Sequence, residues 1–292
     1  MNYTIEIAEI NDENVETEIR TLIKAAFQTT AMLPANYLSN NIQSNSSQPG
    51  FFVVAKENGK IIGCNGFLAN DFILNDKPYV GYQSCWSAID PFYWGKGIFT
   101  EIINEAKRIL INKGAGFLYG VPSENSLPAM VEKLNFSETP SLILRIPNIP
   151  IIRSFFFKKA TLDKNNVCSI DEQQVAAHKA AQYPAEVKSF QFNKSLVWGK
   201  LVKKIKFGIK FPVFIVGGLQ LDKETDLKFL LDEINKAHTV LFFQLISCES
   251  NSNNALFRNW KKAKYLKGFV FYNLTMPPFK HFNVMIGAID VF

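Results

Sequence analysis

A single ten-residue stretch, residues 90–99, restricts the fold of this chain more than any other part of its sequence. It reads Asp-Pro-Phe-Tyr-Trp-Gly-Lys-Gly-Ile-Phe, so Gly95 and Gly97 are separated by one residue. An apolar run typical of a buried strand precedes it over residues 80–89. Apolar residues at helical spacing follow it over residues 98–113, and Gly114 ends the pattern. The sequence therefore predicts a strand, a glycine turn and an amphipathic helix in direct succession.

A helix that begins at such a turn offers an anion unpaired backbone N–H groups and the positive end of its dipole. Because glycine has no Cβ, the backbone can also approach the anion closely. A P-loop needs four residues between its glycines, and a dinucleotide-binding turn needs a third glycine where Thr100 stands. We therefore predict a site for another phosphate-bearing cofactor, and the alternative is an ordinary glycine turn before a helix.

The order of strand, Pro91, aromatic residues and Gly-Lys-Gly-Ile resembles the pyrophosphate-binding motif of the GCN5-related N-acetyltransferase (GNAT) superfamily. Residues 121–126, Val-Pro-Ser-Glu-Asn-Ser, are similar to the Asn-bearing start of that family's last helix. Residues 132–136, Glu-Lys-Leu-Asn-Phe, are similar to its frequent Glu-Lys-Leu-Gly-Phe ending. The resemblance implies acetyl-CoA as co-substrate. The residues that it implies for cofactor binding are Ser87, Ile89, Trp94, Gly95, Lys96, Gly97, Ile98, Phe99 and Asn125.

Other positions concern the acceptor and the catalytic groups. Gln83 and Cys85 share one face of the predicted strand by alternation and are candidates for contacting the acceptor. Phe92 and Trp94 replace the polar residues that the family usually carries before the first glycine. Val131 stands where many members have the Tyr that protonates the leaving thiolate. The acid then comes from elsewhere, or the thiolate leaves unaided, or the protein is inactive, so the catalytic residues are left unassigned.

The first half of the chain is predicted to be an α+β domain with a mixed, mostly antiparallel sheet flanked by helices. A strand and a helix come first, followed by a three-stranded meander with turns at Asn58-Gly59 and Asn75-Asp76. After the junction and its helix, we expect a strand at residues 116–121, a helix at residues 123–134 and a strand pair around residues 141–146.

Pro147-Asn148-Ile149-Pro150 interrupts these patterns and predicts a domain boundary, with an acyl-CoA-binding N-acetyltransferase domain at residues 1–148. Residues 149–292 then repeat the order of the first half, so we expect a second, degenerate copy with a substrate-binding or structural role. Its predicted elements are a strand at 211–217, a helix at 222–238, a strand at 239–246, a helix at 254–264 and a closing strand pair at 268–276 and 283–291. Because Gly217 and Gly218 are adjacent and not spaced, this copy is predicted not to hold coenzyme A.

Composition limits the class of protein and its partners. The chain has 292 residues, which favours two domains, and it carries a net charge of +6. Lysines concentrated over residues 200–210 form either a solvated face or a contact for an anionic partner such as coenzyme A, a nucleotide-sugar, a membrane surface or RNA. The four cysteines include no CxxC pair and the three histidines are isolated, so no metal site is predicted.

No nucleic-acid-binding motif is present. The first ten residues do not form a signal peptide, and the apolar residues 211–221 are too few to cross a bilayer. We therefore expect a soluble cytoplasmic protein.

The resemblance implies an N-acetyltransferase that passes an acetyl or similar acyl group from acyl-CoA to a primary amine. Two-copy members of this kind can act on amino sugars in surface polysaccharide synthesis. One alternative is a module of the same fold that binds but has lost turnover, which Val131 favours. Another is a peptidoglycan-type (Fem) aminoacyl transferase that uses charged tRNA, which the basic charge favours and the intact cofactor motif opposes.

Overall fold

The computed structural model describes residues 2–42, 46–206, 208–262 and 268–285. The helices in these ranges are α1 (Glu13–Ala26), α2 (Tyr37–Ile42), α3 (Ile98–Asn112), α4 (Pro150–Ser154), α5 (Glu172–Gln182) and α6 (Asp226–Ala237). The strands are β1 (Thr4–Ala8), β2 (Phe51–Glu57), β3 (Lys60–Leu74), β4 (Lys77–Ile89), β5 (Phe117–Gly120), β6 (Ser137–Thr139), β7 (Ser141–Pro147), β8 (Val167–Ile170), β9 (Val187–Phe192), β10 (Ser195–Lys206), β11 (Ile209–Gln220), β12 (Phe242–Cys248), β13 (Lys261–Lys262), β14 (Phe269–Asn273) and β15 (His281–Asn283).

The meander β2–β3–β4 is connected by the two tight turns that the sequence predicts. In the first, Asn58 and Gly59 have φ values of 51° and 80°, and in the second Asn75 and Asp76 have 50° and 61°. Two successive residues with positive φ match the right-handed twist of the paired strands, which is why Asn, Asp and Gly are favoured there. The predicted turns therefore set the pairing of these strands.

The chain divides into two compact units, and neither is one continuous piece of sequence. The first contains the described residues up to Asp71, together with Tyr79–Glu138 and Val270–Pro277. The second contains Phe72–Pro78, Thr139–Phe269 and the described residues from Pro278 onward. The units therefore differ from the predicted single division at residue 148, because each includes residues from the other side of it.

The first unit is built on a sheet with the strand order β1-β2-β3-β4-β5-β14-β6. The β4 and β5 strands run parallel, whereas β1 and β2, β2 and β3, and β5 and β14 run antiparallel. Helix α3 buries Ile102, Ala106 and Leu110 in a core on one face of the sheet. Helix α1 buries Ile19 and Leu22 in a second core on the other face. Both helices bury most of their large apolar residues on one side, which is what a flanking helix needs.

The second unit contains a sheet with the strand order β13-β7-β12-β11-β10-β9. Its only parallel pair among the described strands of this sheet is β11 and β12, the counterpart of β4 and β5. Helix α6 buries Leu227, Leu230 and Ile234 in the core of this unit. Strand β8 pairs with β15 and with residues 72–74 at the end of β3.

The element order of the second half repeats that of the first more completely than the sequence predicts. The series β8, α5, β9, β10, β11, α6, β12 follows the same order as β1, α1, β2, β3, β4, α3, β5, except that α2, between α1 and β2, has no counterpart in the second half. Each series continues with a short helical turn and two further strands, β6 and β7 in the first copy and β13 and β14 in the second. The predicted α+β class, with two copies of one fold, is confirmed.

The two copies have exchanged their last strands. Strand β7, from the first half of the sequence, lies between β12 and β13 in the sheet of the second unit. Strand β14, from the second half, lies between β5 and β6 in the sheet of the first unit. A single residue, Pro140, separates β6 from β7, which is too short a connection for a tight hairpin. The predicted strand pair around residues 141–146 is therefore wrong, because β7 pairs elsewhere.

Three other sequence predictions need correction. Residues 123–134 form one helix in the prediction, but the structure has a turn at residues 124–126 and then a shorter helix over residues 127–133, whose part Ala129–Lys133 is π-helical. Residues 254–264 are described up to residue 262, and they contain the end of a 3-10 turn at Ser252–Leu256 and strand β13. In the predicted closing pair, β14 pairs with β5 while β15 pairs with β8, and residues 286–291 lie outside the described residues.

None of the helices in the described part of the chain combines the length and the apolar character that a membrane-spanning helix needs.

Candidate functional site

The glycine turn ahead of α3 is open to solvent. Gly95 and Gly97 have φ values of 76° and 86°, which a residue with a Cβ rarely adopts. No heavy atom lies within 4 Å of the position that a Cβ would take at either residue. Gly97 is the N-cap of α3 and, having no side chain, makes no capping hydrogen bond. The start of α3 is therefore accessible to a ligand from outside the chain.

The N–H groups of the N-cap Gly97 and of the first three residues of α3, residues 97–100, donate no hydrogen bond to any described residue. The first bond of the helix is from Glu101 N–H to the carbonyl of Gly97, at 3.1 Å. Unpaired N–H groups at a helix start, combined with the helix dipole, form a site that favours negative charge. A helix start of this kind can bind a phosphate group.

The loop before the turn is held by contacts within the first unit. The Asp90 side chain accepts a hydrogen bond from Phe92 N–H at 3.0 Å, and the Tyr93 hydroxyl donates to Glu57. That carboxylate raises the pKa of Tyr93 above its usual value, since it stabilises the neutral hydroxyl. Lys96, between the two glycines of the turn, has its Nζ 4.6 Å from the centre of the Tyr93 ring.

Trp94 is partly exposed, and its indole N–H donates to the carbonyl of Ile89 at 2.8 Å. The indole thus connects the loop to the end of β4. Phe92 is 86% exposed, the most exposed of the large apolar side chains in the described ranges. Trp94 therefore has a structural contact that the sequence did not predict.

Strands β4 and β5 separate at the site. They pair over residues 81–84 of β4, and β4 then continues past the end of β5 to Ile89, so that the edge of β4 facing β5 is free there while its other edge adjoins β3. Trp86, in this stretch with one free edge, has a φ of 50°, an uncommon conformation for a bulky residue in a strand. It is held there by a stacked contact with Phe52, whose ring centre is 5.7 Å away. Ser87 and Ile89 lie on this stretch. A strand needs such a free edge if it is to pair with an extended ligand.

The floor of the site on the α3 side of the sheet contains a hydrogen-bonded cluster. Oδ1 of the fully buried Asn65 accepts hydrogen bonds from Ser84 Oγ, at 3.1 Å, and from Ser87 Oγ. Each hydroxyl has one proton, and both are engaged by the same amide oxygen. Neither serine is therefore poised in this structure to protonate a leaving thiolate.

On the opposite side of the sheet, three polar side chains from neighbouring strands are buried. Gln83 on β4 lies beside Tyr119 on β5, and Asn70 on β3 donates a hydrogen bond from Nδ2 to the Tyr119 hydroxyl at 2.9 Å. All three are at most 2% exposed. The sequence analysis selected Gln83 but missed Asn70 and Tyr119, because nothing in the local pattern shows which strands adjoin. Cys85, the other predicted acceptor contact, has its thiol 3.6 Å from the carbonyl of Gly66.

The last two predicted positions lie after β5. Asn125 is exposed in a turn closed by Ser126 N–H, which bonds to the carbonyl of Ser123 at 3.2 Å. Val131 is partly buried in the π-helical turn and packs against the core under α3. A valine there adds no proton donor, as expected from its sequence position.

Comparison with known proteins agrees with this geometry. Residues 17–136 match the Acetyltransferase (GNAT) family, and this range includes the open turn and the separated strands. Residues 17–136 therefore form a GNAT acetyltransferase domain. The chemistry of that family is acyl transfer, and the resemblance that the sequence motifs suggest is confirmed. No curated protein sequence matches the chain significantly.

Solved structures share the GNAT fold over nearly the whole chain. A GCN5-related N-acetyltransferase from Anabaena variabilis superposes with a TM-score of 0.62 at 10% identity, covering 94% of this chain and 73% of that one. Eis1 from Mycobacterium abscessus gives 0.59 at 12% identity, with 94% and 74% covered. A GCN5-related N-acetyltransferase from Kribbella flavida gives 0.59 at 8% identity, with 93% and 71% covered. At such low identity these matches establish the fold alone.

In the second copy of the fold, the paired glycines lie within β11 and not in a turn directly before the helix. A Cβ on Gly217 would lie 2.4 Å from the ring of the buried Trp198. The Trp198 indole N–H donates to Glu172 Oε2 at 2.8 Å, and burial raises the pKa of Glu172 to about 8. The space beside the paired glycines of β11 is therefore filled by side chains of the same unit.

The start of α6 is also occupied. Asp226, the first residue of α6, is buried and accepts a hydrogen bond from Ser195 Oγ at 2.7 Å. Glu224 accepts one from Leu162 N–H at 2.9 Å. These carboxylates compensate the positive end of the helix dipole and repel an incoming anion. A cavity of about 680 Å³ adjoins this helix start, lined in part by Lys158 and Lys228.

Proposed function

We propose that the first unit transfers an acetyl or similar acyl group from acyl-CoA to a primary amine, with amino sugars as a candidate acceptor class. The proposal is carried by one observation, the four unpaired N–H groups at the open start of α3. These groups suit the diphosphate of coenzyme A, and Lys96 adds a cation beside them. The pantetheine arm then runs along the free stretch of β4, where Ser87 and Ile89 offer backbone groups. The reaction is proposed to take place in the cytoplasm.

In this reaction the amine nitrogen attacks the thioester carbonyl carbon. A C–N bond forms, the C–S bond breaks, and coenzyme A leaves as a thiolate while the proton lost by the amine passes to solvent. A backbone N–H of the free part of β4 polarises the carbonyl. Because Val131 supplies no acid and the Ser84 and Ser87 protons are engaged by Asn65, we propose that the thiolate leaves unaided.

The test compares two glycines with similar backbone conformation at opposite ends of α3. Gly97 has a φ of 86° and Gly114 a φ of 70°, and both have open space where a Cβ would lie. Substituting Val at either residue introduces the same kind of backbone strain, about 1–3 kcal/mol. Only Gly97→Val places a side chain in the proposed phosphate site. We expect it to weaken acetyl-CoA binding at least tenfold in calorimetry, whereas Gly114→Val binds as the wild type does. Equal binding by both variants would place the diphosphate elsewhere.

A second candidate function is a binding module without turnover, and the apolar environment of Val131 favours it. Such a module would bind acetyl-CoA but would release no thiol with any amine. A thiol-release assay with a panel of primary amines separates it from the enzyme. A Fem-type aminoacyl transferase is separated by the titration itself, because it would give no heat with acetyl-CoA.

A further inference from the structure

Two side-chain carbonyl oxygens in the first unit are buried and accept no hydrogen bond from any described residue. They are Oε1 of Gln83, a residue 2% exposed, and Oδ1 of Asn70, which is fully buried. Native structures pair nearly all buried polar atoms, because an unpaired one loses its hydration without compensation. Two such atoms on neighbouring strands indicate a group that is supplied from outside the chain.

The alternation of the strands places both residues on the same side of the sheet. Ala69 and Tyr82 pack in the core under α3, so their neighbours Asn70 and Gln83 face the other way. Tyr119 connects the pair, since it lies beside Gln83 across the β4–β5 ladder and accepts a hydrogen bond from Asn70 Nδ2. Gln83 is one residue from Ser84, the last residue of β4 that pairs with β5. Gln83 therefore lies next to the point where the strands separate, and Asn70 is joined to the same pair of strands through Tyr119.

The hydrogen-bonding pattern determines which group these atoms select. Asn70 Nδ2 is directed to the carbonyl of Leu68, at 3.4 Å, as well as to Tyr119, and a carbonyl can only accept, so the free atom of Asn70 is its oxygen. Two free acceptors attract a group with more than one N–H and repel carboxylate and phosphate. Amide oxygens are also neutral, so they hold an amine without stabilising its ammonium form as a carboxylate would. A nucleophilic amine needs that property, because only its neutral form attacks.

We propose that Gln83 Oε1 and Asn70 Oδ1 bind the primary amine of the acceptor by accepting its N–H groups at the separation of β4 and β5. Gln83 and Asn70 thereby act as specificity-determining residues for amines. This inference rests on the proposed function of the first unit, and it adds Asn70 and the hydrogen-bonding basis of selection to the predicted role of Gln83.

The test uses a second buried glutamine as a matched control. Gln244 on β12 is 4% exposed, but its Oε1 accepts hydrogen bonds from Lys204 Nζ at 2.8 Å and from Arg145 Nε at 3.3 Å. Gln83→Met removes an unpaired oxygen, so we expect the melting temperature of the ligand-free protein to rise by about 2–4 °C. Gln244→Met leaves two cationic donors without their acceptor, so its melting temperature should fall.

Kinetics with glucosamine and butylamine provide the functional readout. Gln83→Met is expected to raise KM for either amine at least tenfold while leaving KM for acetyl-CoA unchanged, and Gln244→Met should change neither. Gln83→Glu adds a charge that holds the ammonium form, so its kcat/KM profile should shift to higher pH. The inference is overturned if Gln83→Met lowers the melting temperature or leaves KM for both amines unchanged.

Failure of the proposed function gives a different result. If the wild type binds no acetyl-CoA, calorimetry shows this directly, and amine binding is then followed by the shift in melting temperature with glucosamine or butylamine alone. A shift in the wild type that Gln83→Met abolishes supports the amine site independently of turnover. A shift that the variant retains, or no shift in the wild type, overturns it.

Discussion

Backbone conformation at single residues shapes the candidate site as much as side-chain chemistry does. Gly97 has a positive φ at the start of α3, and its missing side chain leaves four N–H groups accessible. Trp86 has a positive φ within β4, a strained conformation that costs about 1–3 kcal/mol and is retained because its ring packs on Phe52. Gly97 leaves the start of α3 open, and Trp86 lies where β4 continues without β5.

Glu172 in the second unit supports a prediction about pH. Burial raises its pKa to about 8, well above the value near 4.3 expected in the unfolded chain. The folded state therefore binds more protons than the unfolded state between about pH 4 and pH 8, so stability falls as pH rises through this window, by up to roughly 5 kcal/mol.

Glu172→Gln keeps an oxygen for the Trp198 indole N–H and cannot ionise. Urea unfolding of the variant should therefore lose most of this pH dependence, and the variant should be more stable than the wild type at pH 8. Parallel stability curves for the two proteins from pH 5 to pH 9 would show that Glu172 does not titrate in this range.

Strand β14 is the element that completes the sheet of the first unit, and α3 contributes to holding it. Lys107 of α3 lies 3.5 Å from the centre of the Tyr272 ring on β14, and its Nζ donates to the carbonyl of Leu134 at 2.6 Å. Burial lowers the pKa of Lys107 to about 8. The β14 strand continues into residues whose N–H groups, those of Leu274 and Thr275, both donate to the carbonyl of Gly116 at 3.0 Å.

Removing the Tyr272 ring should weaken this attachment. We expect Tyr272→Leu to lower the free energy of unfolding by about 1–2 kcal/mol, because a largely buried cation over an aromatic face contributes on this scale. Tyr183→Leu is the control, since Lys200 lies 5.6 Å from the Tyr183 ring in a comparable but longer contact. Urea titration of both variants measures the difference, and equal losses would assign no special contribution to Lys107.

The exchange of β7 and β14 makes the two halves of the sequence depend on each other for folding. Each sheet needs a strand that the other half of the chain supplies. A sheet without its inner strand exposes unpaired N–H and carbonyl groups, which promote aggregation. The two halves of the sequence must therefore fold together, although the folded chain forms two compact units.

Fragments of the chain test this dependence. A polypeptide of residues 1–148 lacks β14 and carries an unpartnered β7, so it should be aggregated or unfolded by circular dichroism and size-exclusion chromatography. Residues 1–138 joined through a flexible linker to residues 268–278 supply the missing strand and should be soluble and folded. A well-folded monomer of residues 1–148 would contradict this account.

Local sequence patterns were sufficient for the features that depend on near neighbours. The Asn-Gly and Asn-Asp turns, the amphipathic face of α3 and the glycine turn at residues 95–97 each follow from a few adjacent residues, and all are present as predicted. The repeated element order was also readable from residue 211 onward, because strand and helix periodicities are local. The cofactor-binding role of this turn stays a prediction.

Features that join distant residues depended on the folded chain. Strands β7 and β14 have ordinary strand patterns, and nothing within them specifies which sheet they enter, since pairing is set by the register and edges available in three dimensions. The same holds for Asn70, Gln83 and Tyr119, which come from three strands and meet only when β3, β4 and β5 are side by side. Periodicity along one strand assigns a side chain to a face, whereas its neighbours across the sheet come from the order of the strands.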